Sequence, residues 1–144
     1  MQIEIQRISK AGESTEGHLV IDDRHVCDTL ENSLACLKAG RSYPISLVKC
    51  HQFGRKMICV GKKQACDQCP KQVEVSQNSR LPRCCAMLKP GNGVYAHRER
   101  HILIGSRGAE GLLLHPRRAF ELLYGRIRKC LESGKSVTLE IKEL

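Results

Sequence analysis

The stretch "IEIQRISKAGESTEGHLVIDDRHVCDTLE", residues 3 to 31, decides the fold. Ile3 and Ile5 alternate with polar residues, "AGESTEG" at 11–17 is rich in turn-forming residues, and a second, charged turn follows at Asp22 between two apolar runs. Alternation with a period of two is typical of strands with one buried face, and Gly, Ser and Asp clusters separate such strands. The stretch predicts an antiparallel meander.

The remainder of the chain continues the strand pattern and adds one helix. A strand is predicted over 43–50, with "KMICV" at 56–60 as its hairpin partner. Pro116 suits the first turn of a helix and Gly134 its end. "GLLLH" at 111–115 is either a short buried strand or the lead into that helix. Apolar residues recur at helical spacing on one face of this helix: Phe120, Leu123, Ile127, Cys130 and Leu131.

The predicted fold class is therefore mainly β (α+β): an antiparallel meander or barrel-like sheet with one long C-terminal helix packed on it. "SVTLEIKEL", which closes the chain, is predicted to be a final edge strand. A length of 144 residues predicts a single domain over 1–144. The segment 61–85 is polar and has no sustained period, and we interpret it as a long cysteine-containing loop.

The charge is strongly basic and unevenly distributed. The net charge is +9, and residues 1–35 carry three basic and seven acidic residues, 3 − 7 = −4, so the remainder carries +13. Such a field attracts an anionic partner: cell-wall polymer, an acidic protein or nucleic acid. Only five aromatic residues are present, too few for a convincing base-stacking platform. The sequence shows neither an apolar span nor a secretory signal, which predicts a cytoplasmic protein without membrane contact; any release from the cell would require lysis or specialised secretion.

Nine cysteines without a secretory signal favour reduced thiols or metal ligands over disulfides. Two thiols separated by two residues can point at one tetrahedral ion, and "CDQC" is followed by adjacent cysteines at 84–85. The predicted zinc ligands are Cys66, Cys69, Cys84 and Cys85. Adjacent cysteines rarely both bind one ion, so His97, His101 or Cys59 is an alternative ligand. Reduced thiols in a loop and a redox pair are the other interpretations.

The segment "KPGNGVYAHRERHILIG", residues 89–105, carries two histidines four apart. In a strand that spacing leaves them roughly 13 Å apart, too far for one ion. We therefore interpret His97 and His101 as solvated or strand-edge residues. The surrounding basic side chains predict an anion-binding surface; they are Arg98, Arg100 and Arg107.

The remaining thiols and carboxylates are ascribed structural roles. Four cysteines are interpreted as small buried or half-buried apolar residues: Cys27, Cys36, Cys50 and Cys130. Asp28 and Glu31 in "DTLE" could form a general acid/base pair, but turn or capping roles are commoner, and no catalytic residue is assigned.

Five stretches resemble, in their order along the chain, the motifs of a family of small bacterial and phage proteins, domain of unknown function 5675. They are "IQRISKAGESTEGHLVIDDRHVCDTLEN", "LKAGRSYPISL", "GNG", "ILIG" and "RRAFELL". The resemblance covers nearly the whole chain. The family's His before Gly-Asn and its Cys before Ile-Leu resemble the pair used by cell-wall L,D-transpeptidases. Here Lys89 stands in place of that His, two residues before the Gly-Asn-Gly turn that contains Asn92, and His101 stands in place of the Cys.

Neither Lys89 nor His101 reproduces a thiolate beside a base. The first hypothesis is therefore a non-catalytic β-rich accessory domain with a basic surface for an anionic partner and a zinc-tied cysteine loop. The alternative is a peptidoglycan-acting enzyme related in outline to L,D-transpeptidases.

Overall fold

A computed structural model describes residues 1–50, 53–61, 86–93 and 100–143. These residues form a closed eight-stranded barrel with one helix packed on it and a ninth strand bonded outside the ring, which confirms the predicted mainly β class. The strands are β1 (Gln2–Ala11), β2 (Ser14–Ile21), β3 (Arg24–Asn32), β4 (Ser42–Cys50), β5 (Arg55–Val60), β6 (Ala86–Pro90), β7 (Ile102–Arg107), β8 (Leu113–Leu114) and β9 (Thr138–Lys142). The helix is α1 (Pro116–Glu132).

The ring runs in the order β3, β2, β1, β9, β4, β5, β6 and β7, and pairing of β7 with β3 closes it. The short β8 pairs with β7 outside the ring. The prediction that the last strand lies at an edge is wrong. Strand β9 is parallel to β1 and antiparallel to β4, so it joins the amino-terminal meander to the second half of the barrel. Alternation in "SVTLEIKEL" marks a strand with one buried face but does not identify its neighbours.

The amino-terminal meander forms as predicted, with a shorter first turn. Strand β2 already begins at Ser14, so the turn between β1 and β2 is limited to Gly12 and its neighbour, and Gly12 has a φ of 60°. The second turn has Asp22 at φ 51° and Asp23 at φ 61°. Two consecutive left-handed residues are the geometry of a two-residue turn whose twist matches the flanking strands.

Two irregularities in this meander decide which side chains enter the barrel. Ile3 and Ile5 point inward, and the next inward position is taken by Arg7, after which the register shifts and Ile8 has no partner. A second shift lies between β2 and β3: Leu19 pairs with Cys27, but Val20 pairs with His25, which leaves Val26 as the extra residue. Such bulges change which side chains share a face of the sheet.

Strands β5 to β7 are buried on both faces, because inward residues such as Ile58 and Leu88 alternate with outward ones such as Met57 and Met87 that are buried as well. Helix α1 supplies the cover, since it packs against β6 and β7. It begins at Pro116, as predicted, and ends one residue before the Ser133-Gly134 turn. Its buried residues are Phe120, Leu123 and Ile127.

Arg55, at the start of β5, contacts α1. Its guanidinium lies over the Phe120 ring at 5.1 Å and the Tyr124 ring at 4.9 Å, and it forms an ion pair with Glu121 at 2.6 Å. The inner face of the helix is thereby held by both apolar and cation–π contacts. Within the described residues, no helix is long and apolar enough to cross a membrane.

Candidate functional site

Several predicted site residues lie outside the described residues: Cys66, Cys69, Cys84, Cys85, His97 and Arg98. Cys59, one of the three alternative zinc ligands, is buried in β5. The four cysteines interpreted as structural fit that role, because Cys27 and Cys50 are buried while Cys36 and Cys130 are half-buried.

The positions where the family pattern has its His and Cys are both buried here. Lys89 is 3% exposed, and its ammonium lies 5.4 Å from the centre of the Phe53 ring. His101 is also 3% exposed, and its Nδ1 accepts a hydrogen bond from the Met87 N–H at 3.1 Å. Of the two roles interpreted for His101, solvated or strand-edge, the first is therefore wrong, because the ring is buried and accepts a β6 backbone N–H just before β7 begins. Asn92 acts through its backbone, whose carbonyl accepts the Leu113 N–H.

The predicted arginine surface is divided in the structure. Arg100 is exposed just before β7. Arg107, at the other end of β7, has its guanidinium 3.0 Å from the Glu16 carboxylate. Arg107 is therefore paired with a carboxylate of β2, whereas no such pair is seen for Arg100 within the described residues.

Asp28 and Glu31 do not form an acid/base pair. They lie three apart in β3 beyond the bulge, so they point to opposite faces of the sheet. Glu31 points into the barrel, where it binds the guanidinium of Arg7. Asp28 points outward, where it meets two histidines. Neither carboxylate occupies the turn or capping position that is commoner for such residues, because both are inside the strand.

A compact group of His18, His25 and Asp28 lies on the outer face of the β2–β3 hairpin. His18 and Asp28 are direct partners in the register, which places their side chains on the same face. His25 is three residues from Asp28, a spacing that a regular strand would divide between opposite faces. Because Val26 is an extra residue between them, His25 and Asp28 lie on the same face, and His25 points outward beside the other two side chains.

Both imidazole rings converge on one carboxylate oxygen. His18 Nδ1 is 2.9 Å and His25 Nε2 is 2.8 Å from Asp28 Oδ1. The three ligand atoms all lie within 4.8 Å of one another. The rings themselves meet edge to face, with 5.0 Å between centroids. The group is open to solvent on the histidine side, with side-chain exposures of 37% for His18, 52% for His25 and 15% for Asp28.

A backbone N–H of β7 holds the Asp28 carboxylate. Asp28 Oδ2 accepts the backbone N–H of Arg107 at 2.7 Å, so the contact between β3 and β7 fixes the orientation of the carboxyl group. Glu16, whose oxygen binds the Arg107 guanidinium, also accepts the Gly111 N–H at 3.0 Å. These contacts connect the hairpin to the turn that precedes β8.

Burial alone would raise the pKa of Asp28. The hydrogen bonds from His25, the Arg107 N–H and His18 together outweigh burial, and they lower the pKa of Asp28 below its ordinary value of 3.8. The carboxylate therefore stays charged throughout the neutral range, which is the state that binds a cation.

The second candidate feature is the outer face of α1. Arg118, Leu122, Gly125 and Lys129 follow one another at helical spacing on the side opposite the buried face. Arg126 flanks this stripe on one side and Arg117 on the other; we call these six residues the basic helix face. Leu122 lies at its centre and is 62% exposed.

Sequence reasoning missed the histidine–aspartate group although part of its signal is visible. "HLVIDDRHVCD" places one histidine before and one after a tight charged turn, followed by an aspartate, which is the order that a hairpin folds together. Simple alternation, however, assigns His25 and Asp28 to opposite faces. Only the bulge brings them together, and no turn-forming residue in the sequence indicates it.

Comparison with known proteins adds no assignment to these two features. No family model, no curated protein and no solved structure matches this chain.

Proposed function

We propose that this chain is a non-catalytic β-barrel binding domain whose basic helix face binds an anionic polymer. The observation that carries the proposal is the set of basic side chains on α1 that have no ion pair within the described residues: Arg117, Arg118, Arg126 and Lys129. All four are exposed. The helix that carries them packs on β6 and β7 of the barrel.

The net charge of the helix supports this proposal. Between Pro116 and Glu132 there are five basic and two acidic residues, 5 − 2 = +3. Both acidic residues are already engaged: Glu121 with Arg55, and Glu132 with Arg128 at 4.0 Å. The local field is therefore positive on the outer side, and a polymer with closely spaced negative charges gains most from it because bound counterions are released.

Three further parts of the proposal rest on the sequence. They are a relationship to the family named domain of unknown function 5675, with its bacterial or phage origin, a cytoplasmic location, and a zinc ion tied by Cys66, Cys69, Cys84 and Cys85. The order of the motifs supports the relationship, and the spacing of the thiols supports the zinc site. Arg100, exposed at the start of β7, is a candidate extension of the anion-binding surface.

Fluorescence anisotropy with three labelled anionic probes tests the function: a DNA duplex, poly(glycerol phosphate) as a wall-polymer mimic, and polyglutamate as an acidic-protein mimic. The variant R118Q/R126Q/K129Q removes three positive charges from the basic helix face. The matched control K10Q/K38Q/R41Q removes three exposed positive charges elsewhere. Each phosphate contact contributes about one to the slope of log Kd against log salt, so the helix variant should lower that slope by about three for a phosphate polymer.

The control variant should retain the parent affinity within about twofold, since only long-range charge is lost. Preference among the three probes identifies the class of polymer. Equal loss of binding in both triple variants would show that net charge, and not the helix face, is responsible. Absence of binding to all three probes at low salt would overturn the proposed function.

A further inference from the structure

We propose that His18, His25 and Asp28 form a binding site for a divalent transition-metal ion, with zinc as the favoured metal. This site lies on the outer face of the β2–β3 hairpin. It shares no residue with the predicted cysteine ligands or with the basic helix face, and its test does not depend on the binding of an anionic polymer.

The donor set favours a transition metal over magnesium or calcium. Two imidazole nitrogens and one carboxylate oxygen are ligands that zinc, nickel and copper prefer, whereas magnesium and calcium prefer sites made of oxygen. Two histidines with one carboxylate also match the ligand count of sites that keep open positions. The ligand types therefore identify the class of ion.

The spacing requires little movement. Ligands bound to one zinc ion at about 2 Å lie roughly 3–3.5 Å apart. The two nitrogen–oxygen distances are now 2.9 and 2.8 Å, and all three ligand atoms fall within 4.8 Å. Small rotations of the half-exposed His18 and exposed His25 rings open enough space for the ion. The backbone of the hairpin stays in place because its ladder of hydrogen bonds is unaffected.

The carboxylate is already oriented as in a built metal site. Metal-binding side chains are commonly held by a hydrogen bond from a second group behind them, which fixes their direction. Here the Arg107 N–H holds Asp28 Oδ2 and leaves Oδ1 directed at the histidines. Because this contact comes from β7, the strand that closes the barrel, the position of Asp28 is set by the fold itself.

Charge and access also fit a metal. Asp28 supplies one negative charge, so a divalent ion leaves the site with a net positive charge that water or an anionic ligand can share. The guanidinium of Arg107 does not oppose the ion strongly, because Glu16 neutralises it. Three protein ligands leave at least one position of a tetrahedral ion open, and the exposure of His25 places that position on the solvent side.

Zinc binding by the cysteines must be separated from this site in any test. The full chain carrying C66S/C69S/C84S/C85S serves as the background, and binding is measured by competition with a chromophoric zinc chelator. In that background we expect one zinc ion per chain. The variants H18Q and H25Q should each weaken binding at least tenfold, and D28N should do so as well. His25 is exposed, so H25Q is not expected to disturb folding.

The matched control is H115N, which removes an exposed histidine elsewhere in the chain. His115 has a φ of 49°, and asparagine tolerates this left-handed conformation, so the control keeps the fold. It should bind zinc as tightly as the background. A second readout is histidine ring NMR, in which the signals of His18 and His25 should shift on adding zinc while that of His115 stays unchanged.

The proposal is overturned if the background chain takes up no zinc, or if H18Q and H25Q bind as tightly as H115N. It is also overturned if zinc shifts the ring signals of His18, His25 and His115 equally, because that pattern indicates unselective surface binding. Cobalt provides a further check, since a site made of His and Asp gives no thiolate charge-transfer band, and such a band would point to the remaining cysteines.

Discussion

Arg7 and Glu31 form a bidentate ion pair inside the barrel. Arg7 Nε lies 2.9 Å from Glu31 Oε2, and the Nη2 nitrogen of Arg7 lies 2.9 Å from Glu31 Oε1; the side chains are 4% and 1% exposed. The same guanidinium donates to the Leu37 carbonyl and to the Glu143 carboxylate. Hydrogen bonding to Glu31 raises the pKa of Arg7 further above its ordinary value, against the effect of burial.

Breaking this pair should be strongly destabilising. In the variant R7M, the Glu31 carboxylate stays buried without its partner, and the expected loss is about 3–5 kcal/mol of unfolding free energy, measured by urea denaturation. The double variant R7M/E31L removes both charges and should lose much less than the sum of the single variants. The exposed pair of Arg128 and Glu132 is the control, because E132Q should cost less than about 1 kcal/mol. A loss below about 1 kcal/mol in R7M would contradict this account.

Gly17 should not accept a side chain. A Cβ atom there would lie 2.7 Å from the Gln6 carbonyl oxygen and 2.7 Å from Thr29 Oγ1, and the carbonyl belongs to the neighbouring strand and cannot move aside. We expect G17A to lose about 1–3 kcal/mol in urea denaturation, as for overpacked cores. The matched control is G125A on α1, where a Cβ meets nothing within 4 Å. Because alanine favours helix over glycine, G125A should gain about 0.8–1 kcal/mol. Equal effects of the two substitutions would refute the steric explanation.

Local patterns predict most of the elements correctly. The meander, the hairpin of β4 and β5 and the start of α1 at Pro116 all follow from alternation, helical spacing and turn residues. These signals act over a few residues, and they report which face is buried. They carry no information on which strands become neighbours, so the place of β9 between β1 and β4 and the closure of β3 on β7 could not be derived.

The burial of polar residues is harder to predict from sequence than that of apolar residues. Arg7 and Glu31 come from different strands and are buried only because each satisfies the other. His101 is buried because its ring accepts a backbone N–H. The histidine–aspartate group depends on the bulge at Val26. In each case the deciding contact joins residues that are distant in sequence or that a bulge displaces by one register position. The alternation of apolar and polar residues along a strand reveals neither kind of contact.

Asp28 should contribute to the pH dependence of stability in acid. Its pKa is lower in the folded chain than the ordinary value of 3.8, so the unfolded chain binds this proton more readily. The resulting stabilisation is complete above about pH 5 and is lost as the pH falls through the folded pKa. We expect the difference in unfolding free energy between the parent and D28N to narrow as the pH falls below about 4.

Urea denaturation over a pH series measures this difference. The variant D22N is the control, since Asp22 is exposed in the β2–β3 turn and asparagine tolerates its left-handed backbone. The gap between the parent and D22N should change less with pH than the gap between the parent and D28N, because the Asp22 side chain is exposed. A gap between the parent and D28N that stays constant down to pH 2 would show that Asp28 has no lowered pKa.

The Cys27 thiol should be chemically inert in the folded protein. Burial raises the pKa of Cys27 to about 12, and the adjacent charge of Asp28 adds to this effect. At pH 8 only about one thiol in ten thousand is then ionised, and the thiolate is the reactive form. Iodoacetamide followed by peptide mass spectrometry should label the half-buried Cys36 well before Cys27, and urea should remove the difference. Because burial is the larger cause, D28N should retain the protection, and rapid labelling of Cys27 in that variant would assign the effect to charge instead.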